Sequence, residues 1–103
     1  MIYEIRTYST RPGKVAEYEA AFAEAYPTRQ KYSSLYGWWH TEIGPLNQLV
    51  HIWKFRDDGD RRAHWAAVFA NKDFIEGFAS KFRPLVMSQE VKLMTEAPWG
   101  PHP

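Results

Sequence analysis

Residues 35–55 constrain this chain more than any other stretch. They read Leu35-Tyr36-Gly37-Trp38-Trp39-His40-Thr41-Glu42-Ile43-Gly44-Pro45-Leu46-Asn47-Gln48-Leu49-Val50-His51-Ile52-Trp53-Lys54-Phe55. Two aromatic and β-branched runs flank Gly44-Pro45-Leu46-Asn47. Glycine, proline and asparagine each favour turns for their own backbone reason, so the stretch predicts a β-hairpin. Trp38, Trp39, Trp53 and Phe55 are too large and apolar to leave both faces of that hairpin in water. Such a strand pair needs two covers, one from the chain's own helices and one from elsewhere. Polar Thr41 and His51 stand in line with the rings, and Glu42 lies next to them.

The flanking segments suggest where the first cover comes from. Residues 2–8 (Ile2-Tyr3-Glu4-Ile5-Arg6-Thr7-Tyr8) alternate loosely as a strand, with Tyr3, Ile5 and Thr7 on one face and Glu4, Arg6 and Tyr8 on the other. Ser9-Thr10-Arg11-Pro12-Gly13 reads as a helix start, with a hydroxyl cap and Pro12 in the first turn. Val15, Tyr18, Phe22 and Tyr26 follow at helical spacing, until Pro27 is expected to break or kink the helix, with a further turn to about Tyr32. Ser33-Ser34 then releases the chain into the hairpin. Asp57-Asp58-Gly59-Asp60 supplies caps for a second helix with Trp65, Val68 and Phe69 as its buried stripe, ending near Asn71. Asp73 starts a short helix carrying Phe74, Ile75, Phe78 and Phe82, which Pro84 ends. Residues 85–95 alternate as a last strand. The tail from Ala97 to Pro103 has too much proline and glycine for regular structure, and its Trp99 is expected to pack on another surface.

The order is β-α-β-β-α-β in one domain, residues 1–103. It predicts an α+β fold: a ferredoxin-like βαββαβ sandwich, with a four-stranded antiparallel sheet and helices on one face. The opposite sheet face would show Tyr3, Ile5, Val50 and Ile52. A homodimer joined through those sheet faces is the simplest way to cover them. The 103 residues are 45% apolar, 24% charged and 17% aromatic, with a net charge of +1. Near-neutral charge gives no electrostatic case for nucleic acid or a membrane surface. An RNA-recognition domain shares this element order, but the strand at residues 47–55 lacks its basic, glycine-containing aromatic run. The chain has no cysteine, which removes disulfide, thiol and cysteine–metal chemistry. Met1 runs straight into a strand pattern and no apolar run reaches a membrane span, so a cytoplasmic protein is expected.

With Gly44-Pro45-Leu46 as the tip, antiparallel pairing sets Trp39 opposite His51, Thr41 opposite Leu49 and Gly37 opposite Trp53. One face then carries Trp39, Thr41, His51, Trp53 and Phe55, and the other Trp38, His40, Val50 and Ile52. A slip of one residue would exchange them. The first set is expected to look toward the helices, where Glu4, Arg6 and Tyr8 join it around a cleft.

Three stretches resemble the NIPSNAP family. They are the start Ile2 to Tyr8, the hairpin from Gly37 to Trp53 with its Gly-x-x-Asn turn and the His51-x-Trp53 pair, and Arg83-Pro84-Leu85 through Ser88-Gln89-Glu90. The resemblance covers nearly the whole chain. It implies a dimeric α+β barrel, in the superfamily of cofactor-independent antibiotic monooxygenases, haem-degrading monooxygenases and small polyketide cyclases. The family has no settled biochemical activity. Haem-degrading relatives carry a ligand histidine in the last helix, whereas residues 72–82 here contain none and Phe78 lies near that position. No cofactor is expected.

His51 is the candidate catalytic residue, as a general base or as a hydrogen-bond donor to a bound carbonyl. The competing reading is a strand histidine satisfied by Glu4, Arg6 or a tyrosine hydroxyl. Glu4, Arg6, Tyr8, Trp39, Thr41 and Trp53 are the candidate binding residues, with Trp39 and Trp53 as walls. His64, after Arg61-Arg62, is expected on a solvated helix face. The four histidines show no metal-ligand spacing, and no phosphate loop, dinucleotide fingerprint or nucleophile elbow is present. Three functions remain open. The first is a binder of a small apolar or aromatic organic molecule. The second is a cofactor-independent monooxygenase or cyclase/isomerase with His51 as base. The third is a non-catalytic protein-interaction domain.

Overall fold

The computed structural model describes residues 1–32 and 34–103, so the expected release at Ser33 falls outside the described residues. The chain runs β1 (Ile2–Thr10), α1 (Val15–Arg29), β2 (Ser34–His40), β3 (Gln48–Phe55), α2 (Asp58–Ala70), a π-helical stretch (Asp73–Phe78), α3 (Ala79–Phe82), a 3-10 turn (Arg83–Leu85) and β4 (Val86–Thr95). The strands form one antiparallel sheet in the order β2-β3-β1-β4. This is the α+β, ferredoxin-like arrangement that the element order predicts.

On β3 the alternation is complete: Leu49, His51, Trp53 and Phe55 are buried and the residues between them are half-buried. On β1, Glu4, Tyr8 and Thr10 share that inner face. The helices lay Tyr18, Phe22, Ala25, Val68, Phe74, Ala79 and Phe82 over it as one core. Asp57 caps α2 as expected, its Oδ1 accepting from the Asp60 N–H at 2.8 Å.

Two junctions differ from expectation. The Thr10 backbone N–H and hydroxyl both donate to the Asn47 carbonyl, at 2.7 and 3.3 Å, and the Gly13 N–H donates to Asn47 Oδ1 at 2.8 Å. The Ser9–Gly13 segment therefore holds the hairpin tip rather than capping α1, which starts at Val15 with no side-chain cap. Pro27 does not break α1 either: the helix runs on to Arg29, and the Gln30 N–H still reaches the Tyr26 carbonyl at 2.8 Å. Running on past Pro27 brings Arg29 into the core.

The hairpin register is shifted by one residue from the expected one. Trp38 faces His51, Trp39 faces Val50 and His40 faces Leu49, with an irregularity between Leu35 and Gly37. The connection is longer than a four-residue tip. It spans residues 41–47, with positive φ at Gly44 and Asn47. Trp38 thus belongs to the inner face, while Trp39 lies on the outer face and folds over Gly37, where any Cβ would collide with its indole. The outer face also shows half-buried Tyr3, Ile5, Val50 and Ile52, and exposed Met94. Among the described residues no helix is long and apolar enough to cross a membrane.

Candidate functional site

The inner face buries ionisable groups where a sheet would ordinarily bury aliphatic ones. Glu4, Arg29, His51 and His64 are each at most 4% exposed. Charges are tolerated in such places only with partners, so each group's partners reveal its role.

His51 is fixed in one protonation state. Trp53 Nε1 donates to His51 Nδ1 at 2.7 Å. An indole N–H can only donate, so Nδ1 is the bare nitrogen and Nε2 carries the hydrogen. Trp38 stacks on the imidazole, with 4.5 Å between centroids and 15° between planes, and Tyr8 meets it edge-on at 4.9 Å. Nε2 is buried and has no hydrogen-bond partner among the described residues. Burial, reinforced by Arg6 and Arg29, pulls the pKa down to about 3. At neutral pH His51 is therefore an uncharged donor whose basic lone pair is already occupied. That state suits hydrogen-bond donation better than proton abstraction.

Glu4 ties the sheet to α2. Trp65 Nε1 and Arg61 Nη1 donate to its Oε1 at 3.2 and 3.4 Å, and Arg6 Nη1 lies 3.2 Å from its Oε2. Arg6 in turn donates from Nε to the Tyr8 hydroxyl oxygen at 2.7 Å, and its guanidinium lies 4.7 Å from the Trp65 ring centroid. Burial opposes the Arg6 charge, yet Tyr8 and Glu4 outweigh it and hold the pKa above its ordinary value.

Arg29 has no such counterpart. Its Nη1 donates to His64 Nε2 at 2.8 Å, and its guanidinium lies 4.2 Å from the Trp53 centroid and 5.0 Å from that of Trp65. No ion pair among the described residues includes it. Burial, with Arg6 adding repulsion, pulls its pKa down to about 10. Burial and Arg29 likewise pull His64 down to about 4.

Between these groups and the helices lies a cavity of about 290 Å³, whose walls include Arg6, Tyr8, Arg29, His51, Trp65 and Phe74. Arg6, Tyr8 and His51 thus meet where the sequence predicts a cleft. Four expected binding residues lie elsewhere. Trp39 faces away, because of the register. Thr41 lies beyond the end of β2, against Gly44 in the connection. Trp53 is fully buried beneath Arg29 rather than forming a wall, and Glu4 is enclosed by Arg6, Arg61 and Trp65. Trp38, expected on the other face, backs His51 and is held by Glu19, whose Oε2 accepts from Trp38 Nε1 at 2.8 Å. His64, expected in solvent, is buried against Phe55 and Arg29. The signal for Arg29 was present: Tyr18, Phe22, Ala25 and Arg29 continue one helical stripe across Pro27. Among the described residues no three histidine, aspartate or glutamate side chains gather as a metal site.

The NIPSNAP family model matches residues 3–101. Mouse protein NipSnap homolog 3B is 32% identical over 98 residues, covering 94% of this chain and 40% of that protein. This chain spans less than half the length of the first curated relatives it matches. A crystal structure of a NIPSNAP family protein of unknown function from Agrobacterium tumefaciens superposes with a TM-score of 0.89 at 35% identity, covering 98% of this chain and 92% of that one. SnoaB, a cofactor-independent oxygenase from Streptomyces nogalater, superposes with a TM-score of 0.68 at 20% identity, covering 98% and 97% of the two chains, and so shares the fold.

Proposed function

We propose, from the premise that this chain belongs to the NIPSNAP family, that it is cytoplasmic, that residues 1–103 form a single domain, and that it assembles as a homodimer. Each subunit binds a small, largely flat apolar or aromatic organic molecule in the cleft between sheet and helices. One observation carries the reading: the 290 Å³ cavity is walled by aromatic rings and by the imidazole of His51, whose buried Nε2 has no hydrogen-bond partner among the described residues. A buried imidazole N–H without a partner is destabilising and is tolerated where something else can complete it. The volume sits at the lower end of the ~300–1,000 Å³ typical of ligand pockets, which suits a body of one or two rings. Among the open functions, the state of His51 counts against a proton-abstracting enzyme and favours binding or polarisation of a ligand oxygen.

The test is a ¹⁵N NMR screen of the full chain with one- and two-ring aromatic compounds at about 1 mM, a range that still detects weak pocket ligands. The expected result is selective movement of the Trp53 and Trp65 indole signals and of the His51 backbone amide. A screen in which no aromatic compound moves them sinks the reading. The dimer rests on a different feature: β4 exposes Met87, Val91, Leu93 and Met94 across both of its faces. Light scattering coupled to size exclusion should return twice the 12.1 kDa chain mass. A monomer at all concentrations removes that part.

A further inference from the structure

The binding reading leaves the charge of the ligand open, and the cavity walls carry information about it. Arg6, Arg29 and Arg83 line the cavity, and no aspartate or glutamate is among the described lining residues. The nearby carboxylate, Glu4, is already shared by Arg6 and Arg61. Arg29 is therefore a buried cation whose polar partner is the neutral acceptor His64 Nε2. Its stacking on Trp53 and Trp65 offsets only part of what it loses by leaving water. A guanidinium has five N–H donors in a planar fork, and more of these remain than His64 can take.

The neutral groups point the same way. His51 is fixed as the Nε2–H donor with no partner for that hydrogen among the described residues. The Tyr8 oxygen accepts from Arg6 Nε, which leaves the phenolic hydrogen to donate. Among its described residues the wall thus sets three guanidinium groups and the His51 and Tyr8 donors against no carboxylate, with the Gln89 carboxamide as a neutral acceptor. Water can complete donors but does not neutralise a buried charge.

Resting on the binding reading above, we infer that the cavity takes a planar organic anion. Its carboxylate or enolate oxygens meet Arg29, His51 and Tyr8 donate to it, and its apolar body lies among Trp65, Phe74 and Phe82. Two other hollows lack this character. One, lined by Glu19, Phe22, Ala23, Tyr26, Leu35 and Trp38, contains a carboxylate and no cation. The other lies on the outer sheet face beside Tyr3, Ile5 and the tail.

Matched probes separate the charge from the body. Titration calorimetry on the full chain with naphthalene-2-carboxylate and naphthalene-2-carboxamide, and with benzoate and benzamide, compares ligands of equal shape. The acids are expected to bind about tenfold or more tightly than their amides, as charge-assisted pairing in a desolvated site requires. Arg29→Met, with folding confirmed by its melting curve, should bring each pair to nearly equal affinity. Should that variant not fold, Arg29→Lys, which keeps the charge but loses the fork, should weaken the acids and spare the amides. Equal binding of acid and amide to the wild type overturns the anion inference while leaving the small-molecule reading intact. A folded Arg29→Met variant that still prefers acids overturns it as well. If no probe binds, both fall together.

Discussion

The two faces of this sheet reverse the usual arrangement. The covered face holds Glu4, Arg6, His51 and, from the helices above it, Arg29 and His64. The uncovered face shows Tyr3, Ile5, Trp39, Val50, Ile52 and Met94. Selection for stability alone would exchange them, because buried charges are weak stabilisers and exposed aromatic patches invite association. The contrast matches the two proposals above, a ligand for the groups under the helices and a second chain for the outer surface.

The contrast is broken most severely at Trp53, which is fully buried and holds His51 through its indole N–H. Trp53→Ala should lower stability by about 3–5 kcal/mol, read from urea unfolding at constant m-value. A loss under about 1 kcal/mol would mean that the inner face is not the core. Arg29→Met tests the same face with the opposite expectation. It removes a buried charge that has no ion-pair partner among the described residues, at the expense of one hydrogen bond to His64. Stability should stay within about 1 kcal/mol of the wild type, or rise. A loss of about 3 kcal/mol or more would mark Arg29 as a structural element rather than a group held for a ligand.

Acid sharpens the comparison, because titratable groups with shifted pKa values lie on the covered face. His51 titrates near 6.5 in the unfolded chain and near 3 in the folded one, depressed by burial and then by Arg6 and Arg29. Between those values the unfolded state binds the proton and the folded state does not. Stability is therefore intact above about pH 6.5 and falls as the pH drops, by about 1.4 kcal/mol per unit from His51 at the steepest. His64, whose pKa is also depressed, adds to the loss in the same direction. His51→Gln should remove its own share of the slope, measured as melting temperature against pH from 7 to 4. An unchanged slope would show that His51 binds its proton equally well in the folded and unfolded protein.

The fold is legible in the sequence where side-chain pattern and backbone period agree. On β1 and β3 the two-residue alternation separates large buried groups from the rest, so Arg6, Tyr8 and His51 were placed together correctly. It is not legible on β2, where Trp38 and Trp39 are consecutive and equally suited to either face. Only the length of the connection decides between them, and positive φ at both Gly44 and Asn47 spreads that connection over residues 41–47. Arg29 and His64 were missed for a different reason. Arg29 continues the stripe of Tyr18, Phe22 and Ala25, but a charged residue beyond a proline carries the local signature of solvent, as does a histidine two residues after Arg61-Arg62.

Trp38 and Trp39 provide the smallest and most discriminating test, since chemistry and chain position are matched and only the face differs. Trp38 stacks on His51, meets Phe22 at a tilt and donates to Glu19. Trp39 is 52% exposed and lies over Gly37. Trp38→Ala should cost about 2–3 kcal/mol, whereas Trp39→Ala in a dilute sample should cost less than about 1 kcal/mol, because its ring already meets water on one side. The proposed dimer changes the second number but not the first. If the outer face is covered by a second copy, the effect of Trp39→Ala must grow with protein concentration, since a contact between chains contributes to stability by mass action. A Trp39→Ala effect that is small at every concentration would leave the outer aromatic face without a partner, and the exposed strand β4 would have to be explained by some other contact.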